Sequence, residues 1–124
     1  MPSGPVFDLI TVIVKNIQRS KEFYVKKLGF MLKTDAGEFV SVLTPNRFPI
    51  GLHTPHKGHE HKVEAHGFQL EFEVNDVDAW YQRLRKQGVR FAQKPKDMPW
   101  KEREAEFKDP DGHILVISSP VKNK

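Results

Sequence analysis

Residues 100–120, WKEREAEFKDPDGHILVISSP, hold the clearest turn in the chain and the clearest pair of strands. In Asp109-Pro110-Asp111-Gly112, proline pre-sets φ near −65° at the second turn position. Aspartate tolerates the third, and glycine accepts the positive φ that a hairpin needs on its exit. The flanks agree with a hairpin. Ala105 and Phe107 alternate with Glu104, Glu106 and Lys108 before the turn, and Ile114-Leu115-Val116-Ile117 is a β-branched run after it. The first arm reads as half-polar and the second as buried on both faces.

Working outward, 124 residues with 38% hydrophobic and 29% charged side chains suit one soluble domain with a real core. The absence of cysteine excludes a disulfide framework, a thiolate nucleophile and any cysteine-ligated zinc or iron–sulfur centre. A metal would have to be held by His, Asp, Glu or Gln. The N-terminus Met1-Pro2-Ser3-Gly4-Pro5 has no charged-then-apolar export pattern, and no apolar run approaches the ~20 residues that span a bilayer. The expected location is the cytoplasm, with no membrane partner. The formal charge of +4 comes from basic residues interleaved with acidic ones, as in Lys101-Glu102-Arg103-Glu104, rather than from a basic stripe with stacking aromatics. Nucleic acid is therefore not the expected partner.

Upstream, Val6–Val14 reads as a strand, Asn16 as a helix cap, Ile17–Lys27 as a helix and Gly29 as its stop. Phe30–Lys33, Glu38–Thr44 and Phe48–His53 follow as three short strands. The second half repeats this order. Phe68–Val74 is a period-2 strand and Asp76 caps a helix over Val77–Gln87 with Val77, Trp80, Tyr81 and Leu84 on one face. Val89–Ala92, Glu104–Lys108 and His113–Ser118 supply three more strands. A shift of sixty lays Ile10, Val12, Val14, Asn16 and Ile17 on Leu70, Phe72, Val74, Asp76 and Val77. The expected organisation is a single domain over 1–124 with modules at 6–53 and 68–119. They are joined by a polar linker at 54–67, which carries His56, His59, His61 and His66. That tract reads either as a metal-binding segment or as a solvated linker that is rich in histidine.

Two βαβββ units carrying VKNIQRSKEFYVKKLGF in the first, and VNDVDAWYQRLRKQGV with FKDPDGHILVI in the second, resemble the vicinal oxygen chelate superfamily of glyoxalases, bleomycin-resistance proteins and extradiol dioxygenases. The resemblance runs from Val6 to Ser118. It implies an α+β fold of two βαβββ modules forming a curled mixed sheet around a cleft, commonly in a homodimer. In metal-dependent members four ligands come from the first and last strands of each module. The resemblance places those positions at Leu9, near Gly51, at Gln69 and at Val116. Leucine and valine have no lone pair and glycine has no side chain, so Gln69 stands nearly alone where a divalent ion needs several donors. His53, two residues beyond Gly51, would complete only half a site.

Strand parity gives the expected cleft lining: Leu9, Thr11, Ile13, His53, Gln69, Glu71, Glu73, Ile114, Val116 and Ser118, joined by Glu104 and Glu106. Apolar walls with several carboxylates suit a ligand that is both cationic and apolar, although the same alternation also describes the solvated face of a half-buried sheet. Trp100 reads either as a stacking aromatic or as a core or interface residue. The resemblance favours the former, because binding members often carry an aromatic just before the seventh strand. Asp109 and Asp111 read as turn residues rather than an acid–base pair. The expected function is metal-free binding of a cationic, partly aromatic small molecule such as an antibiotic. The expected ligand residues are Trp100, Gln69, Glu71, Glu73, Glu104, Glu106, His53 and Thr11, with no catalytic residue and no cofactor. The alternative is a lactoylglutathione-lyase-like or dioxygenase enzyme using Zn, Fe, Mn or Ni, for which His53 and Gln69 are the available ligands.

Overall fold

A computed structural model describes residues 4–5, 7–54 and 67–121. The linker histidines His56, His59, His61 and His66 lie outside the described residues. The chain forms two compact units, Met1–Val63 and Glu64–Lys124.

The first unit contains β1 (Ile10–Ile13), α1 (Ile17–Glu22), β2 (Met31–Asp35), β3 (Phe39–Leu43) and β4 (Pro49–His53). Its sheet has the order β1-β4-β3-β2, with β1 and β4 parallel and the other pairs antiparallel. Asn16 caps α1 by accepting a hydrogen bond from the Arg19 N–H at 3.0 Å. The helix then widens into a π-helical stretch at Phe23–Lys27, where Leu28 N–H reaches back to Phe23 O at 3.1 Å. Sequence periodicity predicts one regular helix here. The widening turns the adjacent rings of Phe23 and Tyr24 both inward, which a regular α-helix does less well for neighbouring residues. Val12, Val40, Val42, Ile50 and Leu52 on the strands are likewise fully or almost fully buried. At the surface Lys21 pairs with Asp35 at 2.6 Å. That bond, with a further one from the Gly37 N–H, lowers the Asp35 pKa.

The second unit contains β5 (Gln69–Glu73), α2 (Val77–Lys86), β6 (Phe91–Asp97), β7 (Glu102–Lys108) and β8 (Ile114–Pro120), in sheet order β5-β8-β7-β6. The single parallel pair is again the first strand with the last. Asp76 caps α2 through Ala79 N–H at 3.1 Å. Val77 and Leu84 bury one helical face over Leu70, Ala105, Phe107, Leu115 and Ile117, while Tyr81 meets Phe91 edge-on at 4.7 Å between ring centroids. Arg103 ties the start of α2 to the sheet. It forks onto Asp78 at 2.8 and 2.9 Å and reaches Asp97 at 3.0 Å, contacts that raise its own pKa, Asp78 first.

Strand β6 is longer than expected. The sequence suggests an end at Ala92 and a loop over 96–100, but pairing continues to Asp97 through two register shifts, at Phe91/Gln93 and at Gln93/Lys96. Pro95 is tolerated because β6 is an edge strand, where the missing N–H breaks no ladder on the open side. The α+β architecture of two βαβββ modules is thus the observed one. Among the described residues, no helix is long and apolar enough to cross a membrane.

Candidate functional site

In the second unit the strand register gathers carboxylates on the sheet face opposite α2. Glu71 lies beside Val116, which lies beside Glu106. Glu73 lies beside Ser118, which lies beside Glu104. Two-residue steps separate the backbone positions of the glutamates along each strand by roughly 7 Å, and the intervening β8 separates the two pairs by roughly 10 Å. The result is a rectangle of four glutamates around Val116 and Ser118. Gln69 starts the same face one step further along β5, next to Ile114. Glu71, Glu73 and Gln69 are exposed, and Glu104 and Glu106 are half-buried.

Trp100 stands at the edge of this face with 59% of its surface exposed. Its indole N–H donates to Glu104 Oε2 at 2.7 Å, a charge-assisted bond. Gln93, which falls beyond the expected end of β6, donates to the Glu104 backbone carbonyl at 3.3 Å and pairs in register with Glu106. Sequence reasoning missed Gln93 because it ended this strand at Ala92. The available signal was the alternation of Phe91 with Gln93.

The turn that presents Trp100 belongs to a repeated scheme. In Thr44-Pro45-Asn46-Arg47, Met98-Pro99-Trp100-Lys101 and Asp109-Pro110-Asp111-Gly112, the fourth N–H bonds the first carbonyl at 2.8, 3.0 and 2.9 Å. In each, the first N–H also bonds the carbonyl of the residue after the turn, at 3.1, 2.8 and 3.0 Å. The fourth residue is left-handed in all three, with φ of 65° at Arg47, 68° at Lys101 and 92° at Gly112. This is a three-residue hairpin loop closed by a left-handed bulge, for which glycine is the unstrained choice. Arg47 and Lys101 each carry a strain of order 1–3 kcal/mol that Gly112 avoids. Asp109 is buried and accepts from the N–H groups of Asp111 and His113, both at 2.9 Å. Its carboxylate serves the turn, in keeping with the turn role expected for it.

In the first unit, Thr11 pairs with Gly51 and Ile13 with His53, and Ser41 and Phe39 continue those two rows on β3. Thr11 and His53 therefore share one face of the first sheet. Gly51 on this face is closely covered. A Cβ there would lie 2.9 Å from Phe39 Cε1, 2.9 Å from Thr11 Oγ1 and 3.2 Å from Leu9 Cδ1. The residue nearest the position that the resemblance assigns to coordination on this strand thus has no donor, and its neighbours crowd the space beside it. Leu9 and Val116 add no donor, so these residues do not fit a divalent metal. Among the described residues, no three His, Asp or Glu side chains are grouped to hold one.

A family model described as the glyoxalase/bleomycin resistance protein/dioxygenase superfamily matches residues 6–117. The protein YraH of Bacillus subtilis strain 168, described as uncharacterized, is 30% identical over 120 residues, covering 87% of this chain and 93% of that one. A structure from Agrobacterium tumefaciens C58, of unknown function, is 30% identical with a TM-score of 0.79 over 94% of each chain. TnmS3, described as an antibiotic-binding protein from Streptomyces sp. CB03234, is 27% identical with a TM-score of 0.79 over 97% of this chain and 99% of that one.

Proposed function

The chain belongs to the glyoxalase/bleomycin resistance protein/dioxygenase superfamily, and from that membership we propose that it binds a cationic, partly aromatic small molecule without a resident metal. The observation that carries this reading is the contrast at the family's coordinating positions. Gly51 offers no side chain and is crowded by Phe39, Thr11 and Leu9, while the sheet face around Val116 is acidic and is edged by an exposed tryptophan. The glutamates attract cations, and among the described residues no three His, Asp or Glu side chains are grouped to hold one metal ion. An organic cation with apolar rings matches the spacing, the apolar floor at Val116 and the indole of Trp100. The similarity to an antibiotic-binding protein supports the binding of a small molecule.

The working form is proposed to be a homodimer. Each four-stranded sheet keeps two edge strands of its own, and Phe7, Met31 and Phe48 expose large apolar surfaces. Light scattering at micromolar concentration should report twice the chain mass.

The functional test pairs elemental analysis with titration by 9-aminoacridine, a planar aromatic cation, and by spermidine, an aliphatic one. Acridine binding should quench Trp100 fluorescence and weaken with added salt and on Glu71→Gln, and spermidine should compete poorly. One zinc, iron, manganese or nickel per untagged chain, lost on His53→Ala or Gln69→Ala, would overturn the metal-free reading in favour of a metal-dependent enzyme.

A further inference from the structure

Trp100 and Glu104 are four residues apart, on the tip and the descending arm of the β6–β7 hairpin, and the indole N–H bond joins them at 2.7 Å. The tip is held at two further points. Lys101 adopts its left-handed conformation at φ 68°, and its carbonyl accepts from the Val121 N–H at 3.0 Å. An exposed indole gains nothing from solvent by being held still, and a lysine in the left-handed region opposes the turn it closes. One restraint acts on the exposed ring itself and the other two on the backbone of the tip that carries it.

We propose that Glu104 is a positioning residue that fixes the Trp100 ring as a preformed stacking surface. One oxygen of Glu104 is committed to the indole, so recognition of the ligand's positive charge falls to Glu71, Glu73 and Glu106. A ring locked before binding loses less conformational freedom when a flat ligand arrives, which favours rigid planar cations over flexible chains. The inference rests on the reading of this face as a ligand site, but its structural half can be measured in the free protein.

The experiment uses a Trp80→Phe background, in which Trp100 is the sole indole. Time-resolved fluorescence anisotropy and near-ultraviolet circular dichroism of the free protein should show a restrained ring. Glu104→Ala should release it, with the amplitude of fast motion about doubling. Glu104→Gln should retain most of the restraint, because a carboxamide oxygen still accepts the indole N–H. No change on Glu104→Ala, or equal loosening by both variants, overturns the proposal. Far-ultraviolet melts confirm that each variant is folded.

In the binding arm, followed by acridine fluorescence, Glu104→Ala should weaken 9-aminoacridine by about tenfold, and by little when Trp100 is already phenylalanine. Equal weakening in both backgrounds would make Glu104 a direct contact for the cation and sink the positioning role. If the parent protein binds no acridine, the ligand reading fails, and the free-protein measurements alone decide whether Glu104 positions the ring.

Discussion

The two sheets of this chain share strand order, a capped helix and the same parallel pairing of first strand with last, yet their helix-free faces have little in common. On the first, Gly51 lets Phe39, Thr11 and Leu9 close over the backbone. On the second, four glutamates surround Val116. The β3–β4 and β7–β8 turns show the same divergence on a smaller scale. They have matching hydrogen bonds and a proline at the same place, but one is closed by a strained arginine and the other by glycine. A repeated framework is held by one buried face and by turn geometry. The other face is free to become something else.

The comparison is broken most directly at the buried face. Leu115 is fully buried under α2, so Leu115→Ala should lower unfolding stability by about 2–5 kcal/mol in a denaturant titration. Glu71→Ala, on the opposite face, should stay within about 0.5 kcal/mol. Similar losses from the two would mean that the helix-packed face has been misassigned.

The paired turns come next. Asp109→Ala strands the N–H groups of Asp111 and His113 at a buried site and should cost about 2–3 kcal/mol. Thr44→Ala removes the side-chain acceptor of the single Phe48 N–H, at 2.9 Å, and should cost about 1 kcal/mol. Melting both variants side by side measures how unequally the two turns are built, and equal losses would erase the distinction.

The smallest effect concerns the covered face of the first sheet. Gly51→Ala should cost about 1 kcal/mol, because Phe39 Cε1 and Thr11 Oγ1, each 2.9 Å from the new Cβ, must shift but are side-chain rather than backbone atoms. Adding Phe39→Ala should remove that penalty. A neutral Gly51→Ala would show that the crowding is not felt.

The core was legible in sequence wherever one face of an element is consistently apolar. Period-2 alternation in 68–74 and the i, i+3, i+4, i+7 spacing of α2 identify the buried sides, and Asp109-Pro110-Asp111-Gly112 identifies its own turn. Each of these signals depends on residues close together along the chain, where backbone sterics and local hydrogen bonds act. The end of β6 was not legible, since Pro95 reads as a break until the strand is known to lie at a sheet edge. Likewise, Met98-Pro99-Trp100-Lys101 does not announce a left-handed lysine, because only the paired strands on either side impose it.

What the sequence determined by itself is thus the repeated βαβββ order and the family it signals. The tertiary structure alone decided that Phe39 fills the space at Gly51, that four glutamates form a rectangle and that Glu104 holds the Trp100 indole. The physical reason is that parity assigns a residue to a face, whereas neighbours across a sheet are set by register, which depends on pairing between distant segments.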